Sequence, residues 1–345
     1  PKDSPMHLYI TDQGARLAKQ GEHLRITKNG ELIDDVLIED IDSVVLFGAA
    51  HPTSDAMLAL LDSGSEVAFM SKNGHYKGRL VSSCGKNVLL RLAQYDAFRD
   101  RRHSIEISKG YLTRKVENGL KVLDAYSRSQ RSAFSFDNRE AYLRALQAIK
   151  DYEGYDLNEL LGLEGNAARV YFQNFAKCLK PGIDFPGRSY YPSTDPVNAL
   201  LSFGYSMVAR ELESLLESYG FDSCLGFLHA PTYGRRSLAL DLLEEFRHPL
   251  VDRLVLKIFN KGILNAEDFE QKNDEDCRKG GLYLKQDAVK IFIGQYEQFC
   301  DASNRIYKDD HETSWRKIFR LRVEALRRAL LDGTTIEPFD WEAAA

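Results

Sequence analysis

Ser83-Cys84-Gly85-Lys86-Asn87 is the stretch at which the chain changes its period. Before it, apolar residues recur in short alternating runs; after it, they recur every three to four residues almost to the end. Alternation by two marks half-buried strands, and a 3.6 period marks helices with one buried face. The chain therefore reads as α+β with two domains. Residues 1–92 are expected to form a small β-domain and residues 93–345 a larger all-α domain.

Working upstream, Asn29-Gly30 lies between alternating runs, a hairpin signal because both residues tolerate positive φ. Asn73-Gly74 repeats it. Ser43–Gly48 reads as a buried strand that could also offer an edge. Thr53–Asp62 reads as a short helix with Ser54 as cap and Gly64 past its end. No catalytic constellation stands out in this region. Downstream, helices are expected near 86–102, 108–128, 138–152, 157–179, 238–246, 248–261, 286–300 and 312–331. A further one opens at Asp195-Pro196, a capping carboxylate followed by proline at the first helical position, and runs to Tyr219-Gly220. Residues 265–277 are polar and acidic and read as a loop, and the tail beyond Gly333 as mobile.

At 345 residues with 43% hydrophobic content, the chain can bury a substantial core. No apolar run reaches the length of a membrane span, and no signal peptide opens the chain. Five scattered cysteines (Cys84, Cys178, Cys224, Cys277, Cys300) without Cys-x-x-Cys spacing argue against disulfides or a zinc ribbon. A reducing, cytoplasmic setting is expected. The net charge of −5 does not advertise a nucleic-acid binder, but its distribution is uneven. From Arg99 to Arg131, nine Lys/Arg face four acids; from Trp315 to Arg328, six face Glu324 alone. Either patch could follow a phosphate backbone, or could be an ordinary solvated helix face.

The chemistry concentrates in Phe227-Leu-His229-Ala-Pro231-Thr-Tyr233-Gly234-Arg235-Arg236-Ser237-Leu238 and on through Asp241, Glu244 and Glu245 to Arg247. An apolar run ends at His229, a Pro/Gly loop follows, and Ser237 is placed to cap the next helix. Asp241 and Glu244 lie three apart on one side of that helix. A His before the loop and carboxylates one turn beyond it can converge on a divalent ion. Arg235 and Arg236 at the helix entrance could receive phosphate. Upstream, Glu164 stands between Leu163 and Gly165 on a helix with Leu161, Ala168 and Tyr171 nearby, a position where a carboxylate asks for a partner. Periodicity alone leaves both clusters open to a purely structural reading.

Three stretches in this order and spacing resemble one family: Gly162-Leu-Glu164-Gly-x-x-Ala-Arg169-x-Tyr171-Phe, Asp195-Pro196-Val-Asn198 through Gly204-Tyr205, and His229 to Arg247. The family is the CRISPR-associated integrase of spacer acquisition (Cas-one), and the likeness covers nearly the whole chain. Two departures are Tyr190-Tyr191-Pro-Ser-Thr, where relatives often have more prolines, and His248 before Pro249. The resemblance implies a β-domain that dimerises and a helical domain that catalyses. It implies Glu164, His229 and Glu244 as metal ligands and Asp241 as a nearby carboxylate, with Mn²⁺ or Mg²⁺ as cofactor. The implied reaction joins a spacer 3′-hydroxyl to a phosphodiester of a CRISPR repeat, and water in place of that hydroxyl would give nuclease activity. Implied partners are double-stranded and branched DNA (prespacer and repeat or leader), a Cas-two dimer, a second copy of the chain and a Cas-four-type nuclease. Arg169, Arg235 and Arg236 are candidates for phosphate, and Tyr171, Tyr190 and Tyr233 for stacking on splayed bases. A repair nuclease without an integration role and a non-catalytic DNA scaffold are the competing readings.

Overall fold

The computed structural model describes residues 6–72, 74, 76–80, 87–129, 134–189, 192–272, 280–302, 304–306, 311–336 and 341–343. The chain is mixed α+β, strand-rich at its N-terminal end and helical beyond. It divides into two compact units, Pro1–Cys84 with Glu267–Ile293, and Gly85–Ala266 with Gly294–Ala345.

In the first unit, β1 (Met6–Ile10), β2 (Arg16–Gln20), β3 (His23–Lys28), β4 (Glu31–Leu37), β5 (Ile41–Phe47) and β6 (His51–Pro52) precede α1 (Ser54–Asp62). The strands β7 (Glu66–Met70) and β8 (Tyr76–Leu80) follow. One sheet has the order β1-β5-β7-β8, the other β4-β3-β2-β6. The first three strands of the former are parallel, because α1 and the second sheet supply the crossovers that parallel neighbours require. Ile10, Leu17, Leu24, Ile26, Val44, Leu46, Leu60 and Val67 fill the core shared by the sheets and α1. The Asn29-Gly30 turn has both residues at positive φ (52° and 87°) and joins β3 to antiparallel β4. Asn73 lies outside the described residues, while Gly74 has φ 80° in the β7–β8 hairpin.

Two expectations are corrected here. Thr53, not Ser54, caps α1, its hydroxyl accepting from Ala56 N at 3.3 Å. Ser43–Gly48 offers no edge, since β5 lies between β1 and β7 and is buried along its length from Ser43 to Phe47. The exposed edge of the second sheet is β4, with Leu32 and Ile33 about half exposed.

The second unit begins with α2 (Val88–Arg99), α3 (Arg101–Ser129), α4 (Arg139–Lys150), α5 (Leu157–Cys178) and α6 (Pro196–Tyr219). Asp195 caps α6 with Pro196 in its first turn, and Gly220 ends it at φ 99°. Next come α7 (Ser237–Leu243), a π-helical turn Arg247–Asp252 and α8 (Arg253–Asn260). In place of a loop at 265–277, β9 (Phe269–Gln271) pairs with β10 (Leu282–Leu284), with Phe269 and Leu284 buried. Residues 273–279 are outside the described set. This hairpin and the start of α9 (Gln286–Asp301) belong to the first unit, so the unit boundary differs from one at 92/93. Gln286 Nε2 donates to Thr11 O, and Lys290 pairs with Asp12 at 3.0 Å.

The strands β11 (Asn304–Ile306) and β12 (His311–Thr313), then α10 (Trp315–Asp332) and β13 (Trp341–Ala343) complete the chain. The tail is therefore not loose throughout: β13 pairs with β11, and Trp341 is 3% exposed with its indole N–H on Asn118 Oδ1 at 2.8 Å. A buried aromatic N–H with a partner holds a terminus that polarity alone would release.

Candidate metal and phosphoryl-transfer site

Asp156 caps α5, accepting from Asn158 N at 2.9 Å, and the helix then carries Glu164 two turns in. The buried face of α5 runs through Leu160, Ala167, Val170, Tyr171 and Phe175, whereas Leu161 is exposed. Glu164 sits at the border of that face, its side chain 14% exposed. A carboxylate at such a border is largely removed from water and calls for a nearby cation.

Two segments away, His229 is fixed by Asp241. This carboxylate, 0% exposed, accepts from the backbone N–H groups of Phe227 (2.5 Å), Leu228 (3.0 Å) and His229 (2.8 Å). It also meets His229 Nδ1 at 2.8 Å. Burial pushes its pKa up, and the hydrogen bond to His229 opposes that shift. Only glycine fits at Gly226, where a Cβ would stand 2.7 Å from Asp241 Oδ2. A carboxylate only accepts, so Nδ1 is the donor of this pair and Nε2 is the ring nitrogen left for another partner. That nitrogen lies 3.8 Å from Glu244 Oε1. Ser237 does not cap α7: it is the first helical residue, and its hydroxyl bonds Ala230 O.

Glu244 is the residue on which α7 ends, and its side chain is 4% exposed. Burial alone would raise its pKa, but Arg247 and Lys115 outweigh burial and hold it down at about 2. Arg247 Nε is 2.9 Å from Oε1; Lys115 Nζ is 2.7 Å from Oε2 and 2.8 Å from Glu164 Oε1. Burial disfavours the Lys115 ammonium, yet Glu244 and Glu164 together raise its pKa. Two carboxylates from separate helices thus share one cation. Among the described residues, no three His, Cys, Asp or Glu side chains are already grouped for chelation. The donor set nevertheless fits a divalent ion. Glu244 Oε2 and Glu164 Oε1 already face one cation, the Lys115 ammonium, and two carboxylate oxygens plus one imidazole nitrogen are ligands that Mn²⁺ or Mg²⁺ takes.

The chain after Glu244 explains how Arg247 is placed. Pro249 has no N–H, so the carbonyl of Glu245 is left without its helical donor, and Asn118 Nδ2 takes it at 2.7 Å. Phe246 O accepts from both Leu250 and Val251, which widens the turn. Glu245 faces the interior, paired with Arg322 of α10 at 2.7 Å.

Of the remaining candidates, Arg169, Tyr233 and Arg235 are exposed. Tyr233 stands free at the tip of a turn closed by Arg235 N on Thr232 O, with Gly234 at φ 73°. Tyr171 is corrected: it is fully buried with its hydroxyl on Asp252 and is closed to a base. Arg236 is tied to Glu213 at 2.8 Å and donates to Cys224 Sγ. Tyr190 lies outside the described residues. The basic patches also shrink. In α3, Lys109 pairs with Glu106, and Arg114 with Glu117. In α10, Arg316 is buried among Glu211, Glu297 and Asp301, leaving Lys317, Arg320 and Arg328 exposed.

In the sequence Lys115 is one of nine basic residues between Arg99 and Arg131, and charge alone does not set it apart. Its signal was positional: it lies four residues from both Tyr111 and Gly119, on the buried stripe of α3.

The sequence profile of the family described as CRISPR associated protein Cas1 matches residues 8–298. The CRISPR-associated endonuclease Cas1 2 of Rhodospirillum rubrum is 34% identical over 84% of this chain and 85% of its own length. Cas1 1 of Chlorobaculum tepidum is 32% identical with the same coverage. A Cas4/Cas1 fusion of Geobacter sulfurreducens is 31% identical over 94% of this chain and 58% of the fusion. Among solved structures, a casposase bound to integration product superposes with TM-score 0.82 at 25% identity, covering 96% of this chain and 93% of that one. A Cas6-RT-Cas1–Cas2 complex gives TM-score 0.78 at 22% identity, covering 96% of this chain and 36% of that one.

Proposed function

The chain belongs to the CRISPR-associated Cas1 family, and from that membership we propose that it is a divalent-metal-dependent DNA integrase and endonuclease that inserts short spacers into a CRISPR repeat. The observation that carries the reading is Lys115 shared by Glu164 and Glu244 beside Nε2 of His229. Glu164, Glu244 and His229 would hold the ion, and Asp241 sets the imidazole's tautomer and orientation. When bound, such an ion supplies Lewis-acid stabilisation of a phosphoryl group and its leaving oxygen. In the proposed reaction a 3′-hydroxyl gives up its proton to solvent as its oxygen bonds to phosphorus, the bond to the repeat's own 3′-oxygen breaks, and that oxygen takes up a proton from solvent. Lys115 and Arg247 keep two positive charges beside the phosphate as its charge redistributes. No protein nucleophile is needed.

The test is a plasmid-integration assay on a repeat-bearing plasmid with Mn²⁺ or Mg²⁺, with and without the family's Cas2 partner. Joined products support the reading. Cleavage without joining under every condition would favour a repair nuclease, and metal-independent DNA binding alone a scaffold. The Cas2-containing complex and the Cas4 fusion among the relatives support Cas2 and a Cas4-type nuclease as partners.

Phosphate contacts release counterions, so DNA affinity is expected to fall steeply with salt despite the net charge of −5. Lys317→Glu with Arg320→Glu should flatten the slope of log K against log salt by about two. An unchanged slope would mean that these exposed cations only solvate α10. Arg316 is left out of this test because its buried ion pairs make it structural.

A spacer has two 3′-ends and calls for two sites, which a twofold dimer supplies. The half-exposed Leu32 and Ile33 on edge strand β4 support pairing through the strand-rich unit. Light scattering should find the wild-type chain a dimer and Leu32→Glu/Ile33→Glu a monomer with unchanged circular dichroism. A double variant that stays a tight dimer would move the interface elsewhere. Truncation at residue 93 is the poorer experiment, because it strands residues 267–293 without their unit.

A further inference from the structure

Beneath the site, three side chains from three segments meet on one buried carboxylate. Asp252, 0% exposed at the end of the π-helical turn, accepts from Tyr171 of α5 at 2.9 Å and Tyr205 of α6 at 2.5 Å. It also meets His248 Nδ1 at 2.7 Å. The His248 ring lies on Tyr171, centroids 3.8 Å apart, and Arg247 spans the Tyr205 ring at 4.5 Å. Helix α3 closes against this group through Gly119, where a Cβ would stand 3.0 Å from both His248 and Tyr171.

Three of the segments that meet here, all but α6, also carry a residue of the site above. Glu164 lies seven residues, two turns, before Tyr171 on the same side of α5. Lys115 lies one turn before Gly119 on α3. The π-helical turn begins with Arg247, whose guanidinium holds Glu244. Nothing in the proposed chemistry requires Asp252, His248 or Tyr205 to touch DNA or an ion, and all three are buried. A buried carboxylate with three donors is specific in geometry, because each lost donor leaves an unpaired charge or hydroxyl.

We propose that Asp252 is a positioning residue: with His248, Tyr171 and Tyr205 it fixes the separation of α5 from the turn whose Arg247 holds Glu244, and so sets the affinity of the ligand set for its divalent ion. The inference rests on the reading of Glu164, His229 and Glu244 as ligands. It goes beyond that reading by assigning the spacing of those ligands to a carboxylate that does not belong to them.

The experiment uses the full chain, with Mn²⁺ titrated by calorimetry and melting followed with and without Mn²⁺. Asp252→Asn keeps the shape and removes the charge. It should weaken Mn²⁺ binding by about tenfold and shrink the Mn²⁺-induced rise in melting temperature, with metal-free DNA binding unchanged. A merely structural role would lower both melting temperatures together and leave the Mn²⁺ increment intact, which would overturn the proposal. Tyr205→Phe removes a single donor and should shift Mn²⁺ affinity in the same direction by less. It serves if Asp252→Asn does not fold, and unchanged Mn²⁺ affinity in that variant would overturn the proposal. Glu164→Ala is the control on the ligand set. If it binds Mn²⁺ as the wild type does, the ligand reading fails and the positioning role falls with it. If it loses Mn²⁺ while Asp252→Asn keeps full affinity, only the positioning role fails.

Discussion

Glu164→Ala, His229→Ala and Glu244→Ala are each expected to abolish Mn²⁺-dependent strand joining while leaving the circular dichroism of the chain intact. Glu164 stands at the border of the buried face of α5, and among the described residues its carboxylate pairs with Lys115, which keeps Glu244 as a second partner, so its removal costs the fold little. His229 is 20% exposed and its ring is held by Asp241, which keeps its three backbone donors in the variant. Glu244 is more embedded, and its loss frees Arg247 and Lys115 from a shared partner, so this variant should melt lowest of the three. For a ligand-set failure the loss should reach about a thousandfold or more in rate, the scale of removing a group that stabilises transition-state charge directly. A folded variant joining DNA at near wild-type rate would remove that residue from the assignment. Asp241 needs gentler treatment than alanine, since Asp241→Ala would orphan three buried N–H groups at about 1–3 kcal/mol each. Asp241→Asn keeps the shape, and it should weaken metal affinity by about 10–100-fold without abolishing joining.

Much of this architecture was legible because local rules and tertiary structure agree. The change of period at Ser83–Asn87, the Asn29-Gly30 hairpin and the Asp195-Pro196 helix start all depend on residues that impose their own backbone geometry. What could not be read was set by partners distant in sequence. The return of residues 267–293 to the strand-rich unit depends on Gln286 and Lys290 meeting Thr11 and Asp12, and no pattern within that segment announces it. Trp341 holds the tail through Asn118, more than two hundred residues away. In the site, Glu164, His229 and Glu244 stood out as polar residues in apolar surroundings, and the family likeness supplied their pairing. Tyr171 and Arg236 failed as nucleic-acid contacts for one reason: composition shows an aromatic ring or a charge, but not whether a carboxylate has already claimed it.

Lys115→Met is the variant that separates a preformed cation site from an ordinary buried ion pair. The ammonium neutralises two carboxylates on different helices, and its side chain is only 15% exposed, so bulk water cannot replace it. Methionine fills the same space without charge. Glu164 and Glu244 then repel each other across a partly desolvated gap, with Arg247 holding only Glu244. Removing one partner of a buried ion pair costs on the order of 3 kcal/mol. In a unit of this size that is a metal-free melting temperature lower by about 6–10 °C. Mn²⁺ should reverse the effect, because the ion supplies the missing positive charge and no longer has to displace an ammonium. Its affinity is therefore expected to rise by about tenfold or more, a gain of roughly 1.4 kcal/mol. The two readouts move in opposite directions, lower stability without metal and tighter binding with it, which general loss of packing does not produce. Saturating Mn²⁺ then reveals whether Lys115 also acts on the phosphate. Joining at the wild-type rate would make it a placeholder for the ion, and joining reduced with metal fully bound would make its charge part of the reaction. A Lys115→Met chain whose metal-free melting and Mn²⁺ affinity both match the wild type would show that the carboxylates were never waiting for a stronger cation.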